Sequence, residues 1–142
     1  MKIERSALVT HSAKNMFLLV QDVPSYPDFL SWCTSSEVLE QDEQVQKASL
    51  TVSVAGINQH FTTENHLSEG HFVKMKLLEG PFKNLQGEWG FVQLGEDGSR
   101  VSLMLDFEMT SGFVGTLFGK GFGRIADRLV DDFCKRADEV YS

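Results

Sequence analysis

The chain has few cysteines, few prolines and no long apolar run, and each scarcity removes a class of protein. No apolar stretch approaches the roughly 20 residues that a bilayer-spanning helix requires, so no transmembrane segment is expected. Met1-Lys2-Ile3-Glu4-Arg5 lacks the apolar core of a signal peptide, no Asn-x-Ser/Thr sequon occurs, and the two cysteines, Cys33 and Cys134, lie far apart. A reduced, cytoplasmic setting with both thiols free is therefore expected. Positive charge is also in deficit. With 13 Lys+Arg against 20 Asp+Glu the net charge is -7, which argues against indiscriminate nucleic-acid binding and against a DNA partner. Pro24, Pro27 and Pro81 are the three prolines, and no repeat, low-complexity stretch or linker divides the chain.

What is present is material for a core. The 142 residues are 42% hydrophobic and include eleven phenylalanines, enough to reject disorder and to expect one domain over residues 1–142. Residues 2–9 read as an opening strand. Ser12 then caps a helix whose Ala13, Met16, Phe17 and Val20 follow helical spacing. Pro24 and Pro27 limit residues 24–30 to a short second helix or turn. From there the period becomes two. Leu50, Val52 and Val54; Ile57, Phe61 and Leu67; Val73, Met75 and Leu77; Trp89 and Phe91; and Leu103, Leu105 and Phe107 alternate with polar residues, punctuated by turns at Gly56, Glu69-Gly70, Gly80-Pro81 and Glu96-Asp97-Gly98. An antiparallel meander of about six strands is expected, one face buried and one polar. Helical spacing returns over residues 114–140, with an apolar stripe running from Leu117 and Phe118 to Val140. Such a helix is about 40 Å long, and six or seven strands span about 30 Å, so it can cover the whole buried face. The fold class is thus α+β, a curved antiparallel sheet of about seven strands against one long C-terminal helix.

Candidate sites are sparse. Five of the twelve glycines fall between Gly112 and Gly123, but the spacing fits neither a phosphate loop nor a dinucleotide fingerprint. The segment reads as a loop entering a loosely wound helical turn or, alternatively, as a flexible lip of Phe113, Phe118 and Phe122 at a cavity mouth. Asp106 and Glu108 share the polar face of a strand, as do His60, Glu64 and His66, and both sets read as solvated rather than as acid–base or metal groups. No catalytic residue or cofactor is assigned, and a non-enzyme is expected. Charge is uneven, however. The first 111 residues carry the whole of the -7, whereas residues 112–142 hold five bases and five acids. Lys120, Arg124 and Arg128 recur every fourth residue on one helical face, either paired with Asp127, Asp131 and Asp132 or available to phosphates. A sheet diverging from a straight helix also leaves room for an apolar pocket, which Tyr26, Trp32, Trp89 and the helix phenylalanines could line.

Several motifs resemble a known family. Asp22-Val23-Pro24-Ser25-Tyr26-Pro27-Asp28-Phe29-Leu30-Ser31-Trp32-Cys33, the segment Gly80-Pro81-Phe82-Lys83-Asn84-Leu85 with Trp89-Gly90-Phe91, Asp106-Phe107-Glu108, and the closing Arg136-Ala137-Asp138-Glu139-Val140-Tyr141 are similar in type and order to the coenzyme Q-binding START-domain family and its bacterial ribosome-association toxin branch. The resemblance runs from Arg5 to Tyr141. It implies a helix-grip fold with two short helices after the first strand. It also implies a non-enzymatic carrier for ubiquinone or a related polyisoprenoid quinone, supporting respiration, with Tyr26, Phe29, Trp32, Phe82, Trp89, Phe91, Phe107, Phe118 and Phe122 as ligand-binding residues. For the bacterial branch it implies association with the large ribosomal subunit, with Lys120, Arg124 and Arg128 as contact candidates, and raises an antitoxin protein as a further partner. A polyketide cyclase remains a weaker reading, resting on fold analogy alone.

Overall fold

Ser12 adopts an extended backbone and its hydroxyl accepts the Asn15 amide at 3.1 Å. In the computed structural model, which describes residues 1–141, this cap turns the chain from β1 (Lys2–Val9) into α1 (Ala13–Gln21). Ala13, Met16, Phe17 and Val20 are buried, as their spacing predicts. The proline pair gives a 3-10 helix, Val23–Asp28. Six strands follow: β2 (Cys33–Gln41), β3 (Val45–Val54), β4 (Ile57–Ser68), β5 (Phe72–Glu79), β6 (Phe82–Leu94) and β7 (Gly98–Met109). The long helix α2 (Phe113–Val140) closes the chain.

All strand pairs are antiparallel, and the sheet order is β1-β7-β6-β5-β4-β3-β2. Only β1 leaves sequence order, pairing with β7 from Lys2↔Asp106 to Val9↔Ser99. Register shifts place an extra residue in β2, β5 and β6, and bulges of this kind bend and twist a sheet. The inner face is then concave, and α2 lies in it. This is the helix-grip architecture, with the expected seven strands and two short helical segments after β1.

Phe118, Phe122, Ile125, Ala126, Val130, Phe133 and Ala137 are the buried stripe of α2. The expected stripe was too wide at both ends, because Leu117 is 39% exposed and Val140 47% exposed. The glycine-rich segment is helix from Phe113 onward rather than a loop. Close approach explains why glycine stands there. A Cβ on Gly119 would lie 2.9 Å from Met109 Cγ, and one on Gly121 would overlap Val54 Cγ1. In the proposed lip, Phe118 and Phe122 are buried core residues, and the Phe113 side chain lies outside the described residues. Two apolar clusters form beneath α2. One joins α1 with the C-terminal half of α2 around Trp89 and Phe133; the other joins Phe61, Phe82 and Phe107 with Phe118 and Phe122.

Candidate ligand cavity and basic helix face

The two clusters meet without fully filling the space between them. Trp32, Leu50 and Met75 pack against both, and at this seam a cavity of about 90 Å³ opens between sheet and helix. Of the nine aromatics expected to bind a ligand, four line it: Tyr26, Trp32, Trp89 and Phe122. The other five do not. Phe82, Phe107 and Phe118 are packed into the second cluster, and Phe91 backs Trp89 in the first. Phe29 meets Phe133 edge-on at 5.2 Å and carries the Arg136 guanidinium 5.0 Å from its ring centre, beside a surface cleft of α1 and the end of α2. Phenylalanines at core-facing positions satisfy the same alternation whether they fill a core or border a void, which is why the sequence did not separate them.

The cavity wall also has polar members that alternation concealed. Thr63 and Asn65 lie on the inner face of β4, between Phe61 and Leu67. The Thr63 hydroxyl donates to Asn65 Oδ1 at 2.9 Å, and Asn65 Nδ2 donates to Gln46 Oε1 at 2.9 Å. Gln46, fully buried on β3, donates in turn to the Gln21 carbonyl at 2.8 Å at the end of α1. This chain satisfies groups whose unpaired burial would cost about 1–3 kcal/mol each. Tyr26 likewise spends its hydroxyl proton on the Val20 carbonyl, and burial pushes its pKa upward. One group has no such partner: among the described residues, Trp32 Nε1 alone is buried without a hydrogen bond. No charged side chain is among the residues that line the cavity.

The other candidates fall away from this space. Asp106 is half-buried, and the exposed Glu108 faces Lys83 at 3.9 Å. Glu64 is shared between His66 at 3.1 Å and Lys76 at 3.8 Å, while His60 bonds Thr51 at 3.1 Å. Among the described residues no three metal-ligating side chains converge, and no helix is long and apolar enough to cross a membrane. Cys33 and Cys134 are free thiols, and burial pushes each up to about 11, which leaves little thiolate near neutral pH.

On the outer side of α2, Lys120, Arg124 and Arg128 are all exposed. Of the two readings of this face, direct pairing with Asp127, Asp131 or Asp132 is not formed among the described residues. Asp127 pairs with Arg5, which reaches it from the edge strand β1. Among the described residues none of the three bases forms an ion pair within 4.0 Å, whereas Lys14, Lys47, Lys74, Lys76 and Lys83 each do. Burial raises the pKa of Asp132, with Arg128 acting in the opposite direction.

Comparison with known proteins places this architecture. The family model for polyketide cyclases/dehydrases and lipid transport proteins matches residues 9–134. The chain is 46% identical to the ribosome association toxin RatA of Vibrio cholerae, covering 99% of this chain and 97% of that protein. It is 25% identical to the mitochondrial coenzyme Q-binding protein COQ10 of Dictyostelium discoideum, covering 97% of this chain and 69% of that protein. In structure it superposes on the Zhui aromatase/cyclase from Streptomyces sp. R1128 with a TM-score of 0.87 at 19% identity, covering 100% of this chain and 96% of that one, a likeness of fold alone. The chain therefore belongs to the polyketide cyclase/dehydrase and lipid transport family, START-like in fold, in the branch of its RatA relatives.

Proposed function

We propose that this protein associates with the large ribosomal subunit through the outer face of α2 and hinders subunit joining, a non-enzymatic and toxin-like activity. The observation that carries the reading is the set of exposed cations Lys120, Arg124 and Arg128, without an ion pair among the described residues, on a chain of net charge -7. Near-end-to-end identity of 46% to a protein named for ribosome association supports it. A single basic strip on an acidic body suits one local phosphate contact and disfavours coating of RNA at large. Three phosphate contacts to single-stranded segments give a salt slope of about two, so raising salt from about 50 to about 200 mM weakens binding roughly 20-fold. Sedimentation with purified large subunits is the test. The variant Lys120→Glu/Arg124→Glu/Arg128→Glu should lose co-sedimentation and most of the salt dependence. Its melting temperature should stay within about 5 °C, because exposed substitutions usually change stability by no more than about 0.5 kcal/mol each. An unchanged gradient profile in that variant would overturn this surface.

The cavity supports a second, compatible reading, in which the protein carries ubiquinone or a related apolar lipid. Its apolar, uncharged wall favours this, as does the more distant relationship to a protein named for coenzyme Q binding. Size sets a condition. About 90 Å³ is less than the roughly 150 Å³ of a cavity that takes benzene, so a quinone ring enters only if the seam at Trp32, Leu50 and Met75 opens. Organic extraction of natively purified protein followed by mass spectrometry should recover a prenylated lipid. Recovery of none, together with no rise in melting temperature on adding a short-chain ubiquinone, would sink the reading.

A further inference from the structure

A buried indole N–H without a partner forgoes a hydrogen bond that water offers in the unfolded chain, at about 1–3 kcal/mol. Trp32 Nε1 is such a group, and Trp32 is one of the residues that line the cavity. The other polar wall side chains each already donate one hydrogen bond: Thr63 to Asn65, Asn65 to Gln46, and Tyr26 to the Val20 carbonyl. An indole nitrogen can only donate, so the partner it lacks is an acceptor. No lysine, arginine or histidine lines the cavity, and an anion there would be desolvated without compensation. A fatty-acid carboxylate is therefore the wrong chemistry, whereas a neutral carbonyl oxygen on an apolar body meets both conditions. Met75, unbranched and adaptable, is the wall residue best suited to make room for it.

We propose that Trp32 Nε1 is the head-group anchor of the cavity, donating a hydrogen bond to the carbonyl oxygen of a neutral, otherwise apolar ligand. This rests on the cavity-ligand reading above and adds to it the anchoring residue and the chemical class.

The test is a paired indole ¹H–¹⁵N and methyl ¹H–¹³C NMR titration of the full chain, which has two tryptophans, so Trp32→Phe assigns the indole signals. Three matched probes are used: cyclohexanone, methylcyclohexane and hexanoate. Cyclohexanone should move the Trp32 indole proton downfield with saturation, methylcyclohexane should perturb cavity methyl signals without that downfield shift, and hexanoate should leave both unchanged. Trp32→Phe should bind cyclohexanone about fivefold more weakly, the usual worth of one neutral hydrogen bond, and methylcyclohexane equally well. Binding of both neutral probes with no downfield shift, or with cyclohexanone affinity unaltered in Trp32→Phe, overturns the anchor and leaves the cavity reading standing. Saturable binding of hexanoate overturns the ligand class. Failure of every probe to bind overturns the cavity reading and the anchor with it.

Discussion

Trp89→Ala should remove about 4 kcal/mol of folding stability and lower the melting temperature by about 12 °C. Trp89 is 2% exposed at the middle of β6. Its ring meets Phe133 of α2 edge-on at 5.1 Å and lies parallel to Phe91 at 6.5 Å. Both contacts vanish on truncation, and the vacated volume adjoins the existing cavity. Large-to-small substitutions cost most where the surroundings cannot collapse. Here the site is bounded by a hydrogen-bonded sheet on one side and a helix anchored at both ends on the other. Paired urea and thermal denaturation measure the loss. A cost below about 2 kcal/mol would mean that α2 settles into the gap, and that the cavity is held open less rigidly than its walls imply.

Gly121→Val should cost about 3 kcal/mol, by overpacking rather than by loss of contact. The new Cβ overlaps Val54 Cγ1 and lies 3.2 Å from Val54 Cβ. A β-branched Val54 cannot swing aside cheaply. Helix propensity alone predicts the opposite sign, since nearly every residue outranks glycine in a helix interior. The two effects separate in a double-mutant cycle. Val54→Ala should recover at least about 1 kcal/mol of the loss in the Gly121→Val protein, a coupling typical of residues in contact. Additive effects in calorimetry would remove the close approach of α2 to β3 as the reason for glycine at this position.

The sequence was most legible where one periodicity met one environment. Ser12 with Ala13, Met16, Phe17 and Val20 marked α1 because cap and apolar face agree, and α2 was evident from its apolar stripe alone, since its N-cap Gly112 makes no side-chain cap. It was least legible where one side of an element met water and the other met polar partners. β2, Cys33–Gln41, is an edge strand, largely exposed and twice out of register, so its residues offer almost no apolar alternation. On β4, Thr63 and Asn65 point inward because Gln46, nineteen residues before Asn65, completes their hydrogen bonding; no local pattern announces a partner at that distance. The same holds for the basic strip. Its spacing was visible, but its freedom depends on Arg5 taking Asp127 across 122 residues of sequence. The cavity followed from geometry that no single segment encodes, and Tyr26, Trp32, Trp89 and Phe122 could be named because they are large aromatics bordering the gap between sheet and helix.

The close docking that requires glycine in the first turns of α2 has a consequence for what holds the helix in shape. Four glycines, Gly115, Gly119, Gly121 and Gly123, lie in its first eleven residues and none after. At about 1 kcal/mol apiece relative to alanine, that stretch is held helical by what it touches, whereas the run from Ile125 to Ala137 also favours helix on its own. α2 is then two zones in series: an N-terminal zone whose helix depends on the burial of Phe118 and Phe122 and on the close docking of Gly119 and Gly121, and a C-terminal zone that has its own propensity as well. Lys120 lies in the first zone, Arg128 in the second, and Arg124 at the border. The strip that reads as a contact surface thus straddles the boundary between the part of the helix that tertiary contacts hold in shape and the part that also favours helix by itself.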